Sequence, residues 1–229
     1  MMDPAAWQAW FEELWALREE RLYPQFFDLP PTRAQPLNAA AFARLGVETP
    51  DPRFLTHLVL EFPPSPNRPH TLYATSGMSN PWGEDPATLD PKNFSGLGFE
   101  FTMHVPQPAT WAVELLNWLM AVQLLVATGQ LQGQLLEPLD LIPLGGPLGS
   151  PQSAITHVLV APPPSPEDSP CGYPARFALP SGQVDLLLLL GITAREVDFL
   201  KSQGPEPLLA LLRHRDVFPV TDIARASLV

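Results

Sequence analysis

The fold class of this 229-residue chain is decided by the stretch Ser95-Gly96-Leu97-Gly98-Phe99-Glu100-Phe101-Thr102-Met103-His104. Two glycines lead into a run in which apolar residues alternate with hydrogen-bonding residues. The apolar set is Phe99, Phe101 and Met103, and the polar set is Glu100, Thr102 and His104. This alternation predicts a β-strand whose apolar face enters the core and whose polar face lines a cleft or meets solvent. The run matches no common catalytic, phosphate-binding or metal motif.

The composition is that of a folded, acidic protein without disulfides. Hydrophobic residues make up 45% and charged residues 16%, which argues against disorder of the whole chain. Lys and Arg total 13 against 24 Asp and Glu, so the net charge is −11. This charge repels phosphate backbones and disfavours nucleic-acid binding, whereas it suits a basic protein partner or serves solubility. The single cysteine, Cys171, excludes an intrachain disulfide and a cysteine-rich metal site.

The chain lacks the patterns of secretion and of membrane insertion. The N-terminus carries acidic residues and no basic segment followed by an apolar one, so we predict no signal peptide. The most apolar stretch, residues 111–128, is interrupted by Glu114, Asn117 and Gln123. A buried core helix fits this stretch better than a membrane span. We therefore predict a cytoplasmic protein that does not bind membranes.

Periodicity and turn residues predict mixed helices and strands without a regular βαβ repeat. The predicted helices cover residues 4–22, 110–128, 194–203 and 207–214. The predicted strands cover residues 54–62, 71–75, 98–105, 155–160, 176–179 and 184–190, with a last extended segment at 218–222. This order predicts the α+β class, with a mixed and mostly antiparallel sheet, flanking helices and one domain over residues 1–229.

Two helix starts have recognisable capping residues. Thr193 and Glu196 form a capping box, in which each side chain satisfies a free backbone N–H at the helix start, and Gly204 ends that helix. Thr110 is the predicted N-cap of the long apolar helix.

Five segments in this order resemble the suppressor-of-fused (SUFU) domain family. They are residues 21–24 (Arg-Leu-Tyr-Pro), 73–79, 95–101, 108–115 and a C-terminal block from 190 to 225. Together they span about residues 15–226, nearly the whole chain. The resemblance implies a single SUFU-like domain that binds proteins, is not an enzyme and needs no cofactor.

The resemblance also implies how such a domain works. The animal member of the family holds transcription factors through an extended peptide, which adds as a strand beside the sheet and is clamped by a second, C-terminal domain. This chain ends at Val229, soon after the last shared segment, so we expect no clamp and no hedgehog-type partner. Bacterial single-domain relatives look like immunity proteins that accompany polymorphic toxins. We therefore expect a module that neutralises a toxin or regulates a partner protein.

A candidate partner-binding site lies in the predicted loop over residues 76–91. In the family, the loop after a Gly-x-Ser motif places an aromatic residue in the peptide groove, and Trp82 matches it, while Asp90 is the nearest candidate for the acidic groove residue. The candidate residues are Ser79, Asn80, Trp82, Glu84, Asp85 and Asp90. A tryptophan flanked by carboxylates is typical of a site that binds a basic protein or peptide. The alternative is a tryptophan that folds over the loop and caps the core.

Two other functions stay open at this stage. The chain could be an enzyme whose carboxylates and histidines converge only in three dimensions, for example Glu100 and His104 in a cleft. It could also be a homodimeric scaffold, since the sequence does not define the oligomeric state. His57, His104 and His157 fall within predicted strands and could meet there, but their spacing lacks the zinc-hydrolase pattern, so we predict structural histidines and no metal.

Overall fold

The protein is described by a computed structural model over residues 3–82 and 85–229, and eight strands of these residues form one sheet. The strands are β1 (Arg33–Pro36), β2 (Leu58–Phe62), β3 (Thr71–Ser76), β4 (Phe94–Val105), β5 (Leu141–Pro143), β6 (Ile155–Ala161), β7 (Arg176–Leu179) and β8 (Gly182–Thr193). Their order is β1-β2-β3-β4-β8-β6-β5, and β7 also pairs with β8. Only the central β4–β8 pair of these is parallel. The predicted mixed, mostly antiparallel sheet is confirmed.

Helices cover both faces of the sheet. They are α1 (Pro4–Ala16), α2 (Tyr23–Phe26), α3 (Ala39–Ala43), α4 (Thr110–Ala127), α5 (Ala194–Gln203) and α6 (Pro205–His214). The alternating side chains of β8 show the two layers. Leu187 and Leu189 pack in the cluster built on α4, whereas Leu186 packs with the N-terminal helices and Leu188 with α5 and α6. The predicted helices flanking a sheet are therefore confirmed, and β8 is covered on both faces.

Strand β4 is buried on both faces over residues 99–105. Phe99, Phe101 and Met103 lie in the α4 cluster, as predicted. The prediction that Glu100, Thr102 and His104 face a cleft or solvent is wrong, because all three side chains are 0% exposed. Their face of β4 is covered by a second layer, which satisfies each polar group inside the protein. Thr102 Oγ1, for example, lies 2.7 Å from the hydroxyl of Tyr173.

Several element boundaries differ from their predictions. The N-terminal helix widens into a π-helical segment (Leu17–Leu22) before α2. Residues 52–56 form a 3₁₀ turn instead of the start of β2, because Asp51 caps a turn whose first residue is Pro52. Thr110 is the first residue of α4, and Ala109 stands at the N-cap position without a side-chain cap.

The C-terminal boundaries agree better with their predictions. The Thr193–Glu196 capping box is present, and Gly204 ends α5 with a φ of 89°. The next helix, α6, starts at Pro205 and thus earlier than predicted. The last predicted extended segment makes a parallel bridge between Val220 and His104.

Helix α4 is the most apolar element of the fold. In the described part of the chain, α4 is the one helix whose length and apolar composition would allow it to cross a membrane. However, 61% of it is buried inside the protein. It packs across β2, β3 and β4. These contacts agree with the predicted core helix.

Candidate protein-binding site

A buried carboxylate fixes the turn that follows β3. Glu100 Oε1 accepts hydrogen bonds from the backbone N–H groups of Gly77 and Ser79, each at 2.9 Å, and from Ser79 Oγ at 2.7 Å. Glu100 Oε2 accepts a further bond from Thr75 Oγ1 at 2.7 Å. A buried carboxylate is tolerated when its oxygens are satisfied in this way. The turn thus wraps around the side chain of Glu100.

A buried guanidinium holds the same turn from the other side. Arg18, in the π-helical segment, donates through Nη1 to Ser79 Oγ at 2.9 Å and to Asn80 Oδ1 at 2.8 Å, and through Nε to Ser76 Oγ at 3.0 Å. Its Nη1 lies 3.9 Å from Glu100 Oε1, so the two buried charges offset each other. The N-terminal helical segment is thereby fastened to the turn.

Two glycines allow the close packing of this turn. At Gly77, where φ is 131°, a β-carbon would lie 2.6 Å from Cδ2 of the His57 ring. At Gly96, where φ is 56°, a β-carbon would lie 2.6 Å from the carbonyl oxygens of both Met78 and Asn80. Glycine is required at both positions by the backbone angle and by the space.

Trp82 is packed against the N-terminal helix. Its ring centroid lies 4.8 Å from that of Phe11 in α1 and 6.3 Å from that of His57. Its backbone N–H donates to the carbonyl of Asn80 at 3.0 Å, so the fixed turn also sets the position of Trp82. The side chain is half-buried, and it lines a cavity.

The other candidate residues have different surroundings. Ser79 and Asn80 are buried, at 0% and 4% exposure, and contact Arg18 or Glu100 as described above. Asp85 Oδ1 accepts from the backbone of Ala87 at 3.1 Å, and Asp90 Oδ1 accepts from the backbone of Lys92 at 2.9 Å. Glu84 lies outside the described residues. The structure therefore brings Ser79, Asn80 and Trp82 together in one turn, with Asp85 and Asp90 further along the loop.

The cavity beside Trp82, called the Trp82 cavity below, has a volume of about 270 Å³. It lies between the turn, the 3₁₀ segment before β2 and the C-terminal end of α4. Its lining residues are Arg53, Phe54, His57, Met78, Asn80, Trp82, Gly96, Leu97, Leu124, Ala127 and Thr128. The Trp82 cavity thus combines apolar walls with a few polar side chains, as ligand sites commonly do.

His57 and Arg53 are the ionisable side chains in the lining of this cavity. His57 Nδ1 lies 2.9 Å from the carbonyl oxygen of Phe54. Burial lowers the pKa of His57 to about 4, although the charge of Glu100 and the Phe54 carbonyl act in the opposite direction. The imidazole is therefore neutral at pH 7.

The edge strand β1 ends next to His57, which lines the Trp82 cavity. Leu37, just after β1, donates its N–H to the carbonyl of His57 at 2.8 Å and so continues the β1–β2 ladder. Because hydrogen bonding alternates along an antiparallel pair, Arg33 and Gln35 bond to β2, while Ala34 and Pro36 direct their backbone groups to the outer edge. This edge is open in the described part of the chain and ends beside the Trp82 cavity.

The remaining histidines do not form a second site with His57. His104 Nδ1 lies 2.6 Å from Nε2 of His70, and its Nε2 lies 3.2 Å from the Tyr173 hydroxyl. His157 lies on β6, which β8 separates from the strand β4 that carries His104, so the prediction that His57, His104 and His157 could meet on neighbouring strands is wrong. Within residues 3–82 and 85–229, no group of three or more His, Cys, Asp or Glu side chains could hold a metal ion.

Neither Arg18 nor the role of Glu100 could be recognised from the sequence. Arg18 belongs to a charged run, Arg18-Glu19-Glu20-Arg21, in which nothing marks it as the buried member. Glu100 alternates with apolar residues as a solvent-facing residue would. The one sequence feature that indicates a tightly packed turn here is the pair of glycines at 77 and 96, because glycine is favoured where the backbone closely approaches other atoms.

Comparison with known proteins gives a family match and a fold match. The family model described as Suppressor of fused protein (SUFU) matches residues 56–226. No match was found among the curated proteins.

Three solved structures share the fold. A structure of the Sufu–Fu complex is 23% identical, with 75% of this chain and 76% of that chain covered and a TM-score of 0.54. Drosophila Suppressor of Fused is 24% identical with a TM-score of 0.55; 75% of this chain is covered, but only 42% of the Drosophila chain. A SUFU homolog from Neisseria gonorrhoeae FA 1090 is 23% identical, with coverages of 76% and 78% and a TM-score of 0.50.

Proposed function

The chain belongs to the suppressor of fused family, and from this premise we propose that it is a non-enzymatic protein-binding module whose site is centred on Trp82. One observation carries the proposal: a half-buried tryptophan lines a cavity on a turn that is fixed by the buried Arg18–Glu100 pair. Aromatic side chains held in place before binding are typical energetic centres of protein interfaces, because little conformational entropy is lost on association.

The open edge of β1 supports an extended segment of the partner as the ligand. The outer edge offers the N–H and C=O of Ala34 and the C=O of Pro36, and it ends beside the Trp82 cavity. A peptide that pairs with this edge would gain main-chain hydrogen bonds and place a side chain at Trp82. Proline at position 36 limits the pairing to a short segment, because it has no N–H to donate.

The proposed partner is a basic protein, and the proposed role is to neutralise a toxin or to regulate the partner in the cytoplasm. The net charge of −11 supports a basic partner and disfavours nucleic acid. The Sufu–Fu complex is a precedent for a protein partner within the shared fold.

The test uses the full chain as bait in a lysate of its own source organism. Wild type, Trp82→Ala and Trp118→Ala are compared, and captured proteins are identified by mass spectrometry. Trp118 is a matched control, because it is also half-buried but lies on α4 in a different groove. We expect Trp82→Ala alone to lose the partner. Equal capture by all three baits would refute the site, and a gene for a toxin beside this one would favour the immunity role.

A further inference from the structure

Helix α1 packs against the ring of Trp82. The Phe11 side chain of α1 lies between Trp7 of the same helix, with ring centroids 5.0 Å apart, and Trp82, with ring centroids 4.8 Å apart. Phe11 is only 8% exposed, so the contact is close and covers part of the Trp82 ring. With α1 in this position, a partner can reach only the part of Trp82 that Phe11 leaves free.

The N-terminal helical region is held more firmly after α1 than within it. Arg18, in the π-helical segment, is 1% exposed and donates the hydrogen bonds to the turn described above. In α2, the hydroxyl of Tyr23 donates to the carbonyl of Thr75 in β3 at 2.8 Å, and the side chain is 0% exposed. Among the described side chains of α1, only Phe11 and Leu14 are buried. Local stability is low where few side chains are buried, so α1 is the weaker part.

The boundary between the two parts is a change of helix type. Helix α1 ends at Ala16, and the π-helical segment begins at Leu17. A π-helical turn interrupts the regular i to i−4 hydrogen bonding, and helices bend at such places. The other end of α1 is weakly terminated, because the N-cap side chain of Asp3 makes no capping bond within the described residues. These features favour opening of α1 as a unit about the π-helical segment.

We propose that α1 is a hinged cover of the Trp82 site, which opens at the π-helical segment and exposes the Trp82 ring to the partner. This regulation rests on the proposed function, since it concerns the same tryptophan. The turn that carries Trp82 does not open with the cover, because Arg18 and Glu100 lie outside α1 and hold that turn. Opening thus presents a tryptophan whose backbone is already in position.

The cover lowers the affinity of the free protein for its partner. When a partner binds only the open form, its apparent dissociation constant is the intrinsic constant divided by the open fraction. A substitution that loosens α1 without changing the partner site must therefore tighten binding. If Phe11 in its observed position were instead part of the binding surface, the same substitution would weaken binding or leave it unchanged. The sign of the change thus distinguishes a cover from a platform.

Two exposed alanines provide matched variants. Ala9 lies in the middle of α1, and Ala210 lies within α6, which packs in a different apolar cluster. Glycine is less favourable than alanine in an exposed helix interior, by an amount that corresponds to about a fivefold change in the open population. Ala9→Gly therefore loosens the cover and leaves the Phe11–Trp82 contact intact when the cover is closed. Ala210→Gly imposes the same kind of change on a helix that does not cover Trp82.

The first measurement is amide hydrogen exchange of the free protein, followed by NMR. We expect the hydrogen-bonded amides of α1 to exchange at least about tenfold faster than those of residues 17–26. Ala9→Gly should raise the exchange rates within α1 by about fivefold more, while Ala210→Gly leaves them unchanged. The proposal is overturned if the amides of α1 exchange as slowly as those of residues 17–26.

The second measurement is the dissociation constant for the protein that the wild-type bait captures, determined with the purified protein by calorimetry. We expect Ala9→Gly to lower this constant about fivefold and Ala210→Gly to leave it unchanged. The cover is refuted if Ala9→Gly binds no more tightly than wild type. If Trp82→Ala loses the partner in that case, the proposed function stands without the cover. Capture that does not depend on Trp82 at all removes the proposed function, and the role of the cover falls with it.

Discussion

Arg18 Nη1 lies 3.9 Å from Glu100 Oε1, and the two side chains are 1% and 0% exposed. One belongs to the N-terminal helical segment and the other to the central strand β4. Between them they hold the turn over residues 76–80, from which the backbone leads to Trp82. A buried ion pair adds little net stability, but the loss of one partner is costly because the other charge is left unpaired. The geometry of the site therefore depends on this pair.

The first prediction concerns Glu100→Gln. The substitution preserves size but removes one of the two carboxylates beside the buried Arg18 charge, so that only Glu19, at 3.5 Å, remains. It also puts an amide N–H where the turn needs an acceptor. We expect the free energy of unfolding to fall by about 3–5 kcal/mol. Urea unfolding measures the change. Glu114→Gln, an exposed substitution on α4, is the control and should stay within about 0.5 kcal/mol of wild type. A similar small change for both variants would contradict the assigned role of Glu100.

The second prediction concerns Gly77→Ala. The new β-carbon would meet the His57 ring at 2.6 Å, on a backbone whose φ is 131°. Gly145→Ala is the matched control, because Gly145 also has a positive φ, 74°, but nothing lies within 4 Å of a β-carbon there. We expect Gly77→Ala to lower the free energy of unfolding by about 2 kcal/mol more than Gly145→Ala. Thermal and urea unfolding of both variants decide this, and equal costs would show that the His57 contact is unimportant.

The third prediction is a pH dependence of stability that arises from buried histidines. Burial lowers the pKa of His57 and of His70 to about 4, and in His70 the charge of Arg68 adds to this effect. Between about pH 6.5 and pH 4 the unfolded chain therefore binds more protons than the folded one. Stability is then lost as the pH falls through this window, by about 1.4 kcal/mol per pH unit for each such histidine.

Urea unfolding at a series of pH values between about 7 and 5 measures this slope, in a range above the titration of ordinary carboxyl groups. His57→Gln should reduce the change in the free energy of unfolding per pH unit by the contribution of one histidine, about 1.4 kcal/mol. If His57→Gln leaves the slope unchanged, His57 is not neutral in the folded protein, because the histidine then makes no difference to the protons bound on unfolding.

Much of the fold could be predicted because its signals are local. The alternation at residues 99–104 and the continuous apolar run at 184–190 gave the two central strands, and the Thr193–Glu196 pair gave the start of α5. These signals act within a few residues of one another. The edge strands β1 and β5 were not predicted, since they have only four and three residues and each contains a proline.

The polar face of β4 shows why the site was harder to predict. Whether Glu100 faces solvent or an internal partner depends on Arg18, which is 82 positions earlier in the chain. The alternation pattern is identical in the two cases, and only the tertiary packing distinguishes them. Trp82 could be placed from the family resemblance, but its contact with Phe11 and the polar lining of its cavity required the structure.

The central claim is that Trp82 is the energetic centre of a protein interface. The most direct test is isothermal titration calorimetry of the captured partner with wild type, Trp82→Ala and Trp118→Ala. Circular dichroism first establishes that each variant is folded. We predict that Trp82→Ala raises the dissociation constant by about 30-fold or more, which corresponds to a loss of about 2 kcal/mol of binding free energy. Trp118→Ala should change the dissociation constant by less than about twofold. A Trp82→Ala variant that is folded and binds the partner as tightly as wild type would contradict the account.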